Sequence, residues 1–213
     1  MKFRNIIFDF DGTLVDSKHD IASAQLWALE GIGAQGFSAS DLFPHIGKTL
    51  EETFSTVLPS FMHEKIPEAA RLYSEYFPSR SLVTTRLYPG VLDTLAALQR
   101  DGRLMAIASV KKGPGIRRAT DHFGITPFFV QLQGSEGIPP KPDPRSIEKI
   151  LTDQQWHSDK TLMVGDTDKD ILAGKNAHIS TCAVTYGSLP ESDLRQFHPD
   201  FVISEFHDIL SIV

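Results

Sequence analysis

Short apolar runs alternate with helix-spaced apolar positions through most of this chain, and one long early stretch breaks the alternation. The first run is Ile6-Ile7-Phe8. From residue 89 onward, Val91, Leu92, Leu95 and Leu98 fall at helical spacing and lead into a second run, Leu104-Met105-Ala106-Ile107-Ala108. A third, Phe128-Phe129-Val130, precedes Asp143-Pro144 and the stripe Ile147, Ile150, Leu151. Aspartate caps a helix and proline suits its first turn, so a helix is predicted there. A fourth run, Thr161-Leu162-Met163-Val164, precedes a helix carrying Asp170, Ile171 and Leu172; strands near 181–184 and 201–203 and a last helix near 205–211 follow. Strand-length runs separated by amphipathic helices predict βα units in a doubly wound parallel sheet, an α/β fold.

Residues 17–82 offer several helical patterns and no convincing strand. Thr49-Leu50-Glu51-Glu52 is a capping-box signature. Ile66, Ala69, Ala70, Tyr73, Tyr76 and Phe77 form one apolar stripe, with Pro67 suited to a first turn. The stretch is therefore expected to be an α-helical cap domain inserted into a core made of 1–16 and 83–213. Its linkers, Leu14 to Ser17 and the turn-rich Leu87-Tyr88-Pro89-Gly90-Val91, would let it hinge as a unit. Asp16 and Ser17 are expected to start its first helix. Gly31-Ile32-Gly33-Ala34-Gln35-Gly36 matches a dinucleotide fingerprint, but it follows a helical pattern and precedes no βα unit, so it reads as a cap loop.

With 213 residues, 41% of them hydrophobic, the chain can bury a full core. The single cysteine, Cys182, has no internal disulfide partner and reads as a buried strand residue, which fits a reducing cytoplasm. The apolar stretch before Asp9 is too short for a signal peptide, and no segment approaches the roughly 20 apolar residues that span a bilayer, so a soluble protein without membrane association is expected. A net charge of −6 and the lack of a basic stripe argue against nucleic-acid binding. An anionic substrate would have to be attracted by local cations. The eight histidines show no zinc-ligand spacing.

The chemistry begins where the first run ends. Asp9-Phe10-Asp11-Gly12-Thr13 places two carboxylates beside a buried strand and a glycine turn. Burying such charges is costly unless a cation compensates them or a proton neutralises them, which points to a metal-binding, catalytic centre. Further polar groups follow the later runs: Ser109 after the second, Lys141-Pro142 after the third, and Gly165-Asp166-Thr167-Asp168-Lys169-Asp170 after the fourth. In an open parallel sheet all four lie beyond the carboxyl ends of strands, where ligands bind.

This ordered set, D-x-D-G-T, a lone serine after a second strand, K-P, and G-D-x-x-x-D, resembles the haloacid dehalogenase-like superfamily and within it the phosphoglycolate phosphatase group. The resemblance implies a Rossmann-like core and the hydrolysis of a small-molecule phosphate ester through an aspartyl-phosphate on Asp9. Asp11 would protonate the leaving oxygen and then activate water; dehalogenase relatives lack this aspartate, so phosphoryl transfer is favoured. Mg2+ would be the cofactor, held by Asp9, the Asp11 carbonyl and Asp166, with Asp170 reaching it through water or orienting its ligands. Ser109 and Lys141 would bind the phosphoryl group, Pro142 restricting the lysine's backbone. Gly12 would allow close approach to phosphate, Thr13 would steady the turn with its hydroxyl, and the Val110 N–H would contact phosphate where many relatives carry asparagine.

Lys111 and Lys112 read as solvated surface lysines in preference to compensating for the side-chain donor missing at Val110, and Asp168 reads as the cap of its helix. His178 stands where relatives often place glycine. In the cap, Gly47, Lys48 and Arg86 are candidates for substrate selection. The expected activity is a Mg2+-dependent phosphatase acting on a phosphoglycolate-like molecule or a sugar phosphate. The alternatives are a β-phosphoglucomutase-like mutase and a non-catalytic regulatory module. A monomer or homodimer is expected.

Overall fold

The computed structural model describes residues 2–213. In chain order, β1 (Asn5–Phe8) and β2 (Val15–Asp16) are followed by α1 (Lys18–Gly31), α2 (Ala39–Leu42), α3 (Leu50–Val57) and α4 (Ile66–Arg80). After β3 (Arg86–Leu87), helices and strands alternate: α5 (Val91–Arg100), β4 (Leu104–Ala108), α6 (Gly113–His122), β5 (Phe129–Gln133), α7 (Arg145–Gln154), β6 (Thr161–Gly165), α8 (Asp168–Asn176), β7 (Ser180–Val184), α9 (Glu191–Leu194) and β8 (Phe201–Ile203). The chain forms two compact units, one from Ser17 to Arg86 and one from the segments on either side. No helix among the described residues is long and apolar enough to cross a membrane.

The core unit carries a six-stranded parallel sheet in the order β5-β4-β1-β6-β7-β8. β1 lies at its centre and is buried along its whole length, which explains why Ile6 to Phe8 reads as a continuous apolar run rather than an alternating one. The strand order turns back at β1: β4 and β5 extend to one side, then β6, β7 and β8 to the other. Loops leaving the carboxyl ends of β1, β4 and β6 therefore diverge around one crevice. Ile7, Ala106, Ala108 and Met163 pack with Ile147, Ile150 and Ala173 in one apolar layer. Cys182 is buried in β7 as expected.

Local signals are resolved mostly as read, with informative shifts. Asp143 accepts the Arg145 N–H at 3.0 Å, and Pro144 occupies the cap position of α7. The expected last helix is instead a 3-10 segment, Phe206–Ser211, whose buried Phe206 and Ile209 are three apart, the period at which side chains of a 3-10 helix eclipse. His178 takes a φ of 55°, the left-handed conformation that usually favours glycine after a helix.

In the helical unit, Thr49 and Glu52 form the reciprocal capping box (Glu52 N–H to Thr49 Oγ1, 3.1 Å; Thr49 N–H to Glu52 Oε2, 2.8 Å). Pro67 sits in the first turn of α4, while Ile66, Ala69 and Phe77 bury its stripe. Gly31 ends α1, and Gly33 and Gly36 adopt φ of 80° and 89° in the turn that follows, so the glycine fingerprint is a helix terminus.

Asp20 closes this unit. Its carboxylate accepts the N–H and hydroxyl of both Thr84 and Thr85, including Thr84 Oγ1 at 2.7 Å and Thr85 Oγ1 at 2.7 Å, and so ties the end of the unit to its first helix. Burial pushes the Asp20 carboxyl up, but the Thr85 and Thr84 hydrogen bonds outweigh it and hold the group below its ordinary 3.8. A carboxyl depressed in the folded state stabilises above its unfolded value and loses that contribution as pH falls through the folded one. Asp20→Asn is expected to cost roughly 2 kcal/mol near neutral pH, the loss of charge-assisted hydrogen bonds. In chemical denaturation the gap between the two proteins should close as the pH drops below about 3.8.

Candidate active site

The acidic turn begins one residue beyond β1. Asp9 donates its N–H to Val164 O at 2.8 Å, which continues the β1–β6 ladder and points this residue out of the sheet at the crevice. Phe10 and Gly12 close a turn in which the Gly12 N–H donates to Val15 O at 2.8 Å. Gly12 has a φ of 89°, and a Cβ there would lie 2.2 Å from Asp166 Oδ2. The glycine is thus required by the carboxylate packed against it. The Thr13 hydroxyl also serves Asp166 rather than its own turn, donating to Oδ1 at 2.9 Å.

Asp9, Asp166 and Asp170 are buried, and one oxygen from each lies within 4.8 Å of the others. Lys141, also buried, bridges two of them: its Nζ donates to Asp9 Oδ1 at 2.7 Å, to Asp170 Oδ1 at 2.5 Å and to Ala108 O at 2.9 Å. Asp170 Oδ2 accepts the Thr167 N–H and hydroxyl at 3.0 and 2.7 Å in a capping box. Thr167, not Asp168, caps α8; Asp168 is its first helical residue. Asp170 is held at both oxygens and orients Lys141.

Three carboxylates face one ammonium, so the cluster is two negative charges in excess. Burial, together with the neighbouring Asp170 and Asp166, pushes the Asp9 carboxyl up to about 8 against the opposing pull of Lys141. Burial and Asp170 likewise raise Asp166 to about 6. Lys141 is driven the other way: burial lowers it, but Asp170 and Asp9 together raise it above its ordinary value and keep it an ammonium. An all-oxygen donor set with two uncompensated charges fits a hard divalent cation such as Mg2+, which would neutralise the excess without protons. The Asp11 side chain is not part of this cluster.

Asp11 instead pairs with Lys111, Nζ to Oδ2 at 2.8 Å, with side-chain exposures of only 13% and 9%. Lys111 is therefore no solvated lysine, whereas Lys112 is exposed as expected. The loop that carries Lys111 leaves β4, and Ser109 within it is buried; the Ser109 N–H donates to Gln133 O at 3.0 Å, and its Oγ accepts the Lys111 N–H at 3.2 Å. Val110 is half-buried and brings no side-chain donor. Lys48 and Arg86 belong to the helical unit: Lys48 Nζ shares a hydrogen bond with His45 Nδ1 at 3.1 Å, and the Arg86 guanidinium donates to Thr85 O at 2.6 Å.

One segment carries no motif and is nonetheless built into the site. After β7, the Ser188 N–H donates to Asp166 Oδ2 at 2.8 Å and the Tyr186 hydroxyl to Thr13 O at 2.9 Å. A Cβ on Gly187 would sit 2.3 Å from that of Asp166 and 2.5 Å from Gly12 O. Tyr88 packs on Tyr186 with ring centroids 4.6 Å apart. Burial, with Asp16 beside Tyr88 and Asp166 beside both, pushes both phenols up, so they remain neutral donors.

Comparison with known proteins agrees with this geometry. The haloacid dehalogenase-like hydrolase family model matches residues 6–184. The chain is 31% identical to the pyrophosphatase PpaX of Halalkalibacterium halodurans, covering 100% of this chain and 98% of that protein. It is 30% identical to the phosphoglycolate phosphatase of Vibrio cholerae, covering 98% and 96%. A haloacid dehalogenase-like family hydrolase of Streptococcus pneumoniae superposes with a TM-score of 0.91 at 26% identity, covering 99% of this chain and 98% of that one. With its parallel sheet, its helical insertion and its acidic cluster at the ends of β1 and β6, the chain belongs to the haloacid dehalogenase-like hydrolases, in the group of phosphoglycolate phosphatases and PpaX-type pyrophosphatases.

Proposed function

We propose that this phosphatase hydrolyses a small phosphorylated metabolite through an aspartyl-phosphate, with Mg2+ as cofactor. The observation that carries the reading is the buried cluster of Asp9, Asp166 and Asp170 bridged by Lys141. Lys141 holds Asp9 Oδ1, which leaves Oδ2 to attack phosphorus. A bond forms from Asp9 to phosphorus, the bond from phosphorus to the leaving oxygen breaks, and the Asp11 proton passes to that oxygen. Water then attacks phosphorus and returns a proton to Asp11, the Asp9–phosphorus bond breaks, and phosphate leaves.

Asp9, the Asp11 carbonyl and Asp166 would hold Mg2+, which would draw charge from the phosphoryl oxygens. The Thr13 hydroxyl and the Ser188 N–H orient Asp166 and favour its ionised form against the upward push of burial. Lys141 and the Ser109 hydroxyl would bind the phosphoryl oxygens, while the Gly12 turn and the Val110 N–H line their approach. Relatives named for phosphoglycolate and pyrophosphate support a small anionic substrate. A role for Lys48 in selection would show as a changed order of preference when Lys48→Met is run on a substrate panel.

The test is release of inorganic phosphate from a panel of small phosphate monoesters with and without Mg2+. Release that requires the metal and proceeds to completion in water is the expected result. Turnover that converts one sugar phosphate to another with little free phosphate would replace hydrolysis with a mutase; inactivity across a broad panel would reject the reading.

A further inference from the structure

We propose that Lys111 is a specificity-determining residue whose ammonium recognises an anionic group on the leaving side of the substrate, a carboxylate or a second phosphate close to the leaving oxygen. The inference rests on the phosphatase reading above, because it uses Asp11 as the group that protonates that oxygen. Lys111 Nζ lies one hydrogen-bond length, 2.8 Å, from Asp11 Oδ2. An oxygen that receives the Asp11 proton is thus within a few ångströms of the same ammonium, and a negative group one or two atoms farther along reaches it directly. Lys141, by contrast, is committed to Asp9 and Asp170 on the phosphoryl side. The two lysines divide the crevice between transferred group and leaving group.

The Lys111 position is built rather than incidental. Its N–H donates to Ser109 Oγ at 3.2 Å, and its carbonyl accepts the Ser135 N–H at 3.2 Å. The following residue but one, Gly113, donates its N–H to Glu136 Oε1 at 2.7 Å, and Gly134 packs so closely that a Cβ there would lie 2.3 Å from Gly113 N. The aliphatic stem runs over Gly115, where a Cβ would stand 3.3 Å from Lys111 Cγ. A cation fixed in this way needs little reorganisation to meet an anion. It also supplies what the whole molecule withholds, since a net charge of −6 repels anionic substrates at long range.

The experiment compares kcat/KM of wild type, Lys111→Met and Lys111→Arg on two sets of substrates. Pyrophosphate and 2-phosphoglycolate carry a charged leaving group; phenyl phosphate and ethyl phosphate carry a neutral one. Taking each substrate's own loss cancels differences in intrinsic reactivity. Lys111→Met is expected to lower kcat/KM for the charged set by roughly tenfold or more beyond its effect on the neutral set, and Lys111→Arg to recover most of that selectivity. The relative losses of pyrophosphate and 2-phosphoglycolate tell whether phosphate or carboxylate is the preferred anion. An equal loss on both sets would overturn the inference and leave Lys111 as a positioning residue for Asp11. The inference also fails if the arginine variant, folded by circular dichroism, discriminates no better than the methionine one. Failure of the wild type on every ester would refute the phosphatase reading itself, and this inference with it.

Discussion

Asp9→Asn is expected to stop Mg2+-dependent phosphate release, lowering kcat by roughly 10,000-fold or more, because under the proposed mechanism it removes the nucleophile that would split hydrolysis into two displacements. The fold should survive. The amide keeps the volume of the carboxyl, and Lys141 retains Asp170 and the Ala108 carbonyl as partners. One unfavourable charge also leaves a site in which burial and two neighbouring carboxylates already press Asp9 toward protonation. Activity and thermal melting measured on one preparation decide the matter. A melting temperature close to wild type with no turnover supports covalent catalysis at Asp9, and substantial residual turnover in a sequence-verified sample would refute it.

Lys141→Met should be the most damaging substitution for stability. The side chain is 4% exposed, and its removal leaves Asp9 and Asp170 without their shared cation. Breaking a buried ion pair from one side costs about 3–5 kcal/mol, since the remaining charge stays desolvated. In a chain of this size that corresponds to a fall in melting temperature of roughly 10 °C. Added Mg2+ should restore part of the loss, because a divalent ion held by Asp9 and Asp166, as proposed, would offset the same excess charge. Turnover should stay far below wild type even then, since under the proposed mechanism the phosphoryl group would lose a hydrogen-bonding cation. Scanning calorimetry with and without Mg2+ measures both effects; a metal-free variant as stable as wild type would mean that the cluster does not depend on Lys141.

Much of this site is legible in the residues alone. Asp9, Ser109, Lys141 and Asp166 each follow an apolar run, and a parallel sheet puts all such strand ends on one edge. Reading runs as strands is therefore enough to gather residues more than 150 positions apart. Lys111 escapes such a reading because an isolated lysine after a strand looks like any solvated lysine; only the fold brings Asp11, 100 residues away, beneath its ammonium. The segment of Tyr186, Gly187 and Ser188 carries no recognisable pattern, and backbone groups that donate to a carboxylate leave no mark on residue type. Asp20 belongs to no motif, and its role shows only where Thr84 and Thr85 close on it.

The amino-acid sequence by itself determined the class of fold, the helical insertion and the acidic residues of the crevice, because strand runs, helical stripes and caps are short-range patterns. Tertiary structure decided which oxygen each donor holds. Thr13 and Asp166 meet across 153 residues, and the Gly12 turn is shaped by the carboxylate lying against it. Directional hydrogen bonds and steric fit at that range exist only once the sheet has set the strand ends side by side, and they separate a row of acidic residues from a buried, oriented cluster whose oxygens fit a divalent metal.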